Sequence, residues 1–181
     1  MAKKDLLVIE MNNKEDMECF NFREKLKIAQ KPYDYFKEIE NLNFDQLASS
    51  DRIFLQDFGI YNNELNDEEF MLRLRFPAGR ISNNSLLLIS NLAQKYNLQI
   101  ILTARAGIQL HGLDSNNILE VFNQINSQNI SSYQSFGDNI RNITSDIFDG
   151  IGVYNIIEVF PYIEQMQAYI LNHPDYIGLL P

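Results

Sequence analysis

The amino-acid sequence predicts an α+β fold in which two helices pack on one face of a mainly antiparallel sheet. Three observations lead to this expectation. Apolar residues alternate at period two over residues 72–76, they recur at helical spacing over residues 86–93 and 118–125, and short polar links join these segments. With 45% hydrophobic content, 181 residues are enough for one substantial core.

The acidic composition and the cysteine content limit the classes of function. The chain has 15 Lys and Arg residues against 24 Asp and Glu, and this net charge of -9 opposes binding to nucleic-acid phosphates. Its single cysteine, Cys19, cannot form an intrachain disulfide or ligate an iron-sulfur cluster alone. The apolar run Leu6 to Ile9 is too short for a signal-peptide core, and no stretch approaches the roughly 20 apolar residues of a membrane helix. We therefore expect a cytoplasmic protein with no nucleic-acid or membrane partner.

The first part of the chain, residues 1–50, is predicted to be a partly helical extension. Helical signals cover Met17 to Ile28 and Tyr33 to Ile39, and Pro32 separates them. An apolar run from Ile53 to Tyr61 then predicts a strand that leads into the next, polar part of the chain.

A polar loop over Asn62 to Glu69 precedes the clearest strand signal, Phe70 to Phe76. Its alternating apolar residues place Arg73 and Arg75 together on the opposite, open face. Pro77 to Gly79 is expected to end this strand, which is therefore half buried with two cations on its open face.

Two amphipathic helices and further strands complete the predicted fold. A cap at Ser82, Asn83 or Asn84 begins the first helix, which ends at Asn97 and has an apolar face of Leu86, Leu87, Ile89, Leu92 and Ala93. Leu98 to Thr103 is expected to be a strand, with Ile108 to His111 as its continuation or partner. Asn116 or Asn117 begins the second helix, and Ser131 to Phe136 returns as a strand.

The order strand, helix, strand, helix, strand with short links makes a ferredoxin-like α/β sandwich the natural candidate. This domain is expected to cover residues 51–150. The tail, residues 151–181, is predicted to contain a helix that begins or is interrupted near Pro161.

Four arginines are the strongest candidates for a binding site. Arg73 with Arg75, Arg105 and Arg141 all fall at the ends of predicted strands, so neighbouring strands would bring their guanidinium groups to one face. Arginine suits an oxyanion or carboxylate because its planar fork donates hydrogen bonds in pairs and stays charged. The alternative is that each arginine pairs with an acidic residue on a solvated face.

The segment from Thr103 to Gly112 adds glycines where the backbone could approach a ligand closely, at Gly107 and Gly112. His111 within it is more simply a hydrogen-bonded residue than a metal ligand, because no second histidine or cysteine stands at ligand spacing. We therefore predict no metal site formed by this chain alone. Glycine-rich phosphate loops and nucleophile motifs are also absent from the sequence.

Three segments of the chain resemble the successive signatures of the nitrite and sulfite reductase family, in its ferredoxin-like half-domain. These are Phe70 to Gly79, Leu102 to Gly112 and Gly137 to Thr144, which occur in the same order and at similar separations. Gly59 to Tyr61 resembles the lead-in, so the resemblance covers about residues 50–181. It implies a ferredoxin-like half-domain, with residues 151–181 as the start of the following sirohaem-binding domain.

The resemblance also implies roles for individual residues. Arg75 and Arg141 would point at the anion bound to the sirohaem iron as catalytic residues. Arg105 and Gln109 would help hold the carboxylate-rich cofactor. Weaker candidates for the same role are Arg73, Asn139 and His111. The implied chemistry is the six-electron reduction of nitrite to ammonia or of sulfite to sulfide at the haem iron. The electron donor would be ferredoxin or a flavoprotein.

Departures from the family pattern suggest that only part of a reductase is encoded here. Ala106 stands where relatives commonly carry a polar residue, and Ser145 to Ile147 replaces a small residue followed by Cys-Pro or Ser-Pro. The lysines and the four cluster cysteines that follow in the family are absent after Pro181.

We therefore expect an amino-terminal portion that is inactive alone and shares its sirohaem, and the 4Fe-4S cluster of the complete enzyme, with a downstream half. The alternatives are a non-catalytic binding module for a tetrapyrrole or partner protein, and a ferredoxin-like domain unrelated to haem.

Overall fold

The computed structural model describes residues 36–63, 66–135 and 141–172. A 3₁₀ helix at Phe36–Asn41 precedes an alternating series of helices and strands. The elements are α1 (Ser49–Asp57), β1 (Ile60–Asn63), β2 (Asn66–Leu74), α2 (Asn83–Tyr96), β3 (Gln99–Leu102), β4 (Ile108–Leu113), α3 (Ile118–Ser127) and α4 (Phe160–Asn172), with a short 3₁₀ turn at Pro77–Gly79.

The strands form one antiparallel sheet in the order β1-β2-β4-β3. Together with the helices it makes the ferredoxin-like α+β fold that the sequence predicts, and that expectation is confirmed. The register pairs Arg73 of β2 with Gln109 of β4, and Gln109 with Ile101 of β3. Polar side chains of the two central strands therefore lie side by side on one face of the sheet.

The core lies on the other face of the sheet, under α2 and α3. In β2 the alternate residues Phe70, Leu72 and Leu74 are buried, which is the predicted period-two pattern. Helix α3 buries four residues at helical spacing: Ile118, Val121, Phe122 and Ile125. Helix α2 buries Ile89 and Leu92. The predicted apolar face of α2 is wrong at its start, because Leu86 and Leu87 are exposed.

The ends of α2 follow the predicted capping pattern. Ser82 Oγ accepts a hydrogen bond from the Ser85 backbone nitrogen at 3.1 Å, which satisfies one of the amide groups left over at the helix start. Asn97 ends the helix in the left-handed conformation, with φ of 53°. Helix α4 begins at Phe160, so its proline lies in the first turn, where no helical hydrogen bond is lost.

Three further local predictions are wrong. The strand expected over residues 53–61 begins only at Ile60, because the apolar run before it forms helix α1 and buries Phe54, Leu55 and Phe58 at helical spacing. The loop expected over residues 62–69 is shorter, since β1 reaches Asn63 and β2 starts at Asn66.

The third wrong prediction is the strand over residues 131–136. Ser131 makes one isolated bridge to Arg75, and the chain then turns through Gln134, which has φ of 51°. Of the predicted extension, the helical signal at residues 17–28 lies outside the described residues, and a 3₁₀ helix covers residues 36–41.

Candidate functional site

A cavity of about 330 Å³ lies at the carboxyl end of β2, between the β3–β4 hairpin and residues 141–142. It is lined by Arg73, Leu74, Arg75, Thr103, Ala104, Arg105, Gly107, Ser135, Arg141 and Asn142. Four of these residues are arginines, and within the part of the chain that the structure describes no acidic residue lines the cavity. Arg73, Arg75, Arg105 and Arg141, the four candidate arginines, therefore line one cavity.

Arg75 is much more buried than the strand pattern predicts, with only 2% of the residue exposed. Residues 131–135 cover this end of β2: the Arg75 backbone nitrogen donates to Ser131 O at 2.8 Å, and its Nη2 donates to Gln134 O at 2.6 Å. The expectation that Arg73 and Arg75 share an open face is thus wrong at Arg75. Burial lowers the pKa of Arg75 to about 10, so the side chain remains a cation at neutral pH.

The loop over Arg75 depends on a glycine at the start of β1. Gly59 has φ of 78°, and a β-carbon there would lie 2.5 Å from Ser135 Oγ and 2.7 Å from Arg73 O. Ser135 Oγ lies 2.7 Å from both Arg73 O and Ser132 O. The bare glycine therefore allows residues 132–135 to pack on β2, which places Ser135 in the wall of the cavity.

Arg105 lies on the turn of the β3–β4 hairpin. Thr103 closes this turn, since its backbone nitrogen donates to Gly107 O at 2.9 Å and its Oγ1 accepts from Gly107 N at 3.0 Å. A β-carbon on Gly107 would lie 2.9 Å from Leu74 O, so the hairpin packs directly on β2. These contacts hold the Arg105 backbone beside Arg73 and Arg75.

Asn142 connects the third arginine-bearing segment to this hairpin. Its Nδ2 donates to Arg105 O at 2.8 Å and is 3.3 Å from Ala106 O. The next residue, Ile143, accepts a hydrogen bond from Ala78 N at 2.8 Å. Arg141 is therefore brought to the cavity by backbone contacts of its neighbours rather than by a strand.

The arginines are close enough to influence one another. The pKa of Arg73 is lowered, first by burial and then by the positive charges of Arg141 and Arg105. Repulsion among these side chains disfavours the cluster unless a negative charge lies between them. A small anion or a carboxylate group in the cavity would remove this cost and accept paired hydrogen bonds.

Among the described residues, the other predicted site residues do not line the cavity. Gln109 contacts Arg73, and His111 contacts Gln109, but neither residue lines the cavity. Asn139 lies outside the described residues. The prediction missed Thr103, Ser135 and Asn142, although Asn142 could have been found because an amide directly after Arg141 is a ready hydrogen-bond partner.

The described residues offer little to a metal ion. No group of three or more His, Cys, Asp or Glu residues is placed to hold one within residues 36–63, 66–135 and 141–172. Across the same ranges, none of the helices is long and apolar enough to cross a membrane.

Comparisons with known proteins find similarity to nitrite and sulfite reductases. Residues 63–128 match the model of the nitrite/sulfite reductase ferredoxin-like half domain. The ferredoxin–nitrite reductase of Leptolyngbya laminosa is 27% identical over 158 residues, covering 83% of this chain and 31% of that protein. Sulfite reductase [ferredoxin] 1 of Mycolicibacterium paratuberculosis is 22% identical over 186 residues, covering 91% of this chain and 34% of that protein.

A solved structure has the same fold. The Mycobacterium tuberculosis NirA protein superposes with a TM-score of 0.73 at 20% sequence identity, over 88% of this chain and 32% of that one. The chain thus spans about a third of the length of the proteins that it matches.

Proposed function

We propose that this chain, whose residues 63–128 match the ferredoxin-like half domain of the nitrite/sulfite reductase family, supplies the anion-binding side of a sirohaem-dependent reductase site. The matched residues 63–128 contain two of the three motifs that carry the family resemblance, Phe70 to Gly79 and Leu102 to Gly112. The substrate would be nitrite or sulfite, because relatives named for each of them match this chain.

The observation that carries the proposal is the cavity with four arginines and no acidic residue among those that line it in the described ranges. Arg105 is the exposed member, and Arg73 and Arg141 are half-buried beside it. Guanidinium groups that repel one another gain paired hydrogen bonds when an oxyanion enters the cavity. This makes the site selective for negative charge.

The residues of the cavity also fit one edge of sirohaem. Its carboxylates match the guanidinium donors of Arg73 and Arg105, and the amide group of Asn142 adds a polar wall. A volume of about 330 Å³ is at the low end for a ligand pocket, so the chain would contact an edge and not enclose the macrocycle. When bound, the iron of the group would supply the electron-transfer chemistry of the six-electron reduction.

A complete reductase site would need residues from other polypeptide. A 4Fe-4S cluster takes four cysteine thiolates, whereas this chain has one cysteine. We therefore propose that a downstream half provides the cluster, and that ferredoxin or another small redox protein provides electrons. Several relatives are named as ferredoxin-dependent. The chain alone would bind the anion without reducing it.

Anion binding by the 181-residue chain tests this proposal directly. Nuclear magnetic resonance of the arginine Nε–H groups would follow a titration with nitrite, at an ionic strength kept constant with chloride. We expect saturable shifts at Arg73, Arg105 and Arg141. Replacing Arg141 by Ala should weaken binding by about tenfold or more, since a hydrogen bond to a charged group contributes about 1.5–3 kcal/mol.

Arg52→Gln is the matched control, because Arg52 lies on α1 and does not line the cavity. It should leave nitrite binding unchanged. Equal loss in Arg52→Gln and Arg141→Ala, or the same shifts with chloride alone, would contradict a specific anion site. Reduction of nitrite by the isolated chain would contradict the proposal that the site is incomplete.

A further inference from the structure

Three polar side chains form a row on the sheet face beside the cavity. Arg73 of β2 is the register partner of Gln109 of β4, and His111 lies two residues along β4 on the same face. Gln109 therefore lies between a cation that can only donate hydrogen bonds and an imidazole that can donate or accept them. The direction of its amide group decides which bonds form.

The two directions of the Gln109 amide are not equivalent. With the oxygen toward Arg73, it accepts from Arg73 Nε at 3.0 Å and also from Arg73 Nη2, while the amide nitrogen donates to His111 Nε2 at 3.1 Å. With the amide reversed, its nitrogen would face the guanidinium, where donor meets donor. We assign the first direction because it satisfies every group.

This direction requires a particular form of the histidine. His111 Nε2 can accept from Gln109 only when it carries no proton, so the neutral ring must hold its proton on Nδ1. Protonation would place a second donor opposite the Gln109 amide nitrogen. The amide would then reverse toward His111, and Arg73 would lose the hydrogen bonds that it donates to the Gln109 oxygen.

We propose that Gln109 is a positioning residue that orients the Arg73 guanidinium at the cavity, and that neutral His111 fixes the direction of the Gln109 amide. The inference rests on the proposed anion site, since the value of orienting Arg73 lies in binding an anion there. Gln109 would then act on the ligand through Arg73, in addition to any direct contact that the family resemblance implies.

The charges around the row are consistent with a neutral His111. Burial and, after it, the positive charge of Arg73 lower the pKa of His111, while Glu69 of β2 opposes this shift. From β3 the register partner is Gln99, which is uncharged, and from β2 it is Met71. The pKa of His111 is therefore lower than that of an ordinary histidine.

Nitrite binding as a function of pH provides the test, because nitrite stays an anion between pH 8 and pH 5. The full chain would carry His173→Gln, so that His111 is its one histidine. The proposal predicts that acid weakens nitrite binding by about fivefold, the factor for one lost hydrogen bond. Simple electrostatics predicts the opposite sign, since a protonated His111 adds positive charge near the site.

Two variants test the roles of His111 and Gln109 separately. His111→Phe should keep the Arg73–Gln109 hydrogen bond and remove the pH dependence of nitrite binding. Gln109→Leu should weaken nitrite binding at pH 8 and also remove its pH dependence, because no amide remains to reverse. Stronger nitrite binding in acid, or an unchanged pH profile in His111→Phe, would overturn the proposal.

The resonances of Arg73 Nε–H and of the Gln109 amide would be followed in the same samples without nitrite. Both should move together with the protonation of His111, with a midpoint below 6.5. If nitrite fails to bind at all, the proposed anion site fails, but this linked titration still decides the positioning role. If nitrite binds and these two signals do not follow His111, only the positioning role is overturned.

Discussion

The half domain (residues 63–128) and the segment at residues 141–172 are stabilised in different ways. In the half domain, alternate residues of β2 and β4 and one face of α3 pack into a continuous core. In the later segment most large apolar side chains are exposed, including Ile156 at 96% and Val153 at 94%, and Ile163 is its one buried apolar residue among those described. The first region is therefore organised by burial and the second by a few polar contacts.

Asp149 supplies the main polar contacts of the later segment. Its Oδ1 accepts from Val159 N at 2.8 Å and its Oδ2 accepts from Phe160 N at 2.9 Å, which satisfies amide groups at the start of α4. Arg80 bonds Asp149 O at 2.8 Å, and its guanidinium lies 4.2 Å from the centre of the Phe160 ring. Arg80 thus attaches this segment to the half domain, in addition to the contacts of Asn142 and Ile143 near Arg141.

The largest expected effect is in the core. Leu72→Ala removes a fully buried side chain from the middle of β2, and it should lower the free energy of unfolding by about 2–5 kcal/mol because of lost burial and the cavity left behind. Chemical denaturation followed by circular dichroism would measure this. Ile156→Ala removes a side chain of similar size and should change it by less than about 0.5 kcal/mol. Equal losses in the two variants would contradict the contrast between the regions.

The organisation by burial explains which elements could be predicted from sequence. Strand β2 and helix α3 were found because their apolar residues repeat at one clear period. The strand predicted over residues 53–61 is wrong at its start, since consecutive apolar residues fit either structure and only packing of Phe54 and Phe58 on the core selects the helix. Residues 131–135 have no strand partner beyond one bridge to Arg75, which a local pattern cannot reveal.

The candidate site was predictable in its residue type but not in its geometry. The four arginines were found from their places after apolar runs, and the structure brings them to one cavity. The burial of Arg75 was not predictable, because the chain that covers it is 56 residues or more away in sequence and is held by Gln134 O and Ser131 O. Long-range contacts of this kind leave no periodic signal.

An intermediate loss of stability is expected where Asp149 accepts hydrogen bonds from the start of α4. Asp149→Ala removes both acceptors for the start of α4, and loss of such a cap costs about 0.5–2 kcal/mol. Hydrogen exchange should become faster in α4, while the amides of β2 and α3 keep their protection. Asp146→Ala is the control, since the exposed Asp146 carboxylate accepts a hydrogen bond from the nearby Phe148 N and not from α4. Faster exchange throughout the half domain would instead show that the two regions unfold together.

The smallest effect is expected for the exposed part of the same attachment. Glu158 Oε1 accepts from Arg80 Nη1 at 2.9 Å, but its side chain is 51% exposed and that of Arg80 is 38% exposed. Exposed ion pairs contribute about 0–1 kcal/mol, and salt screens them. Glu158→Gln should therefore change the stability of α4 only slightly at low salt and not at all at 1 M salt, as measured by hydrogen exchange.

The Asp149 side chain is only 5% exposed, so salt screens its contacts less, and the loss of stability in Asp149→Ala should persist at high salt. A loss in Glu158→Gln that matches Asp149→Ala at every salt concentration would mean that Arg80 holds the segment mainly through Glu158.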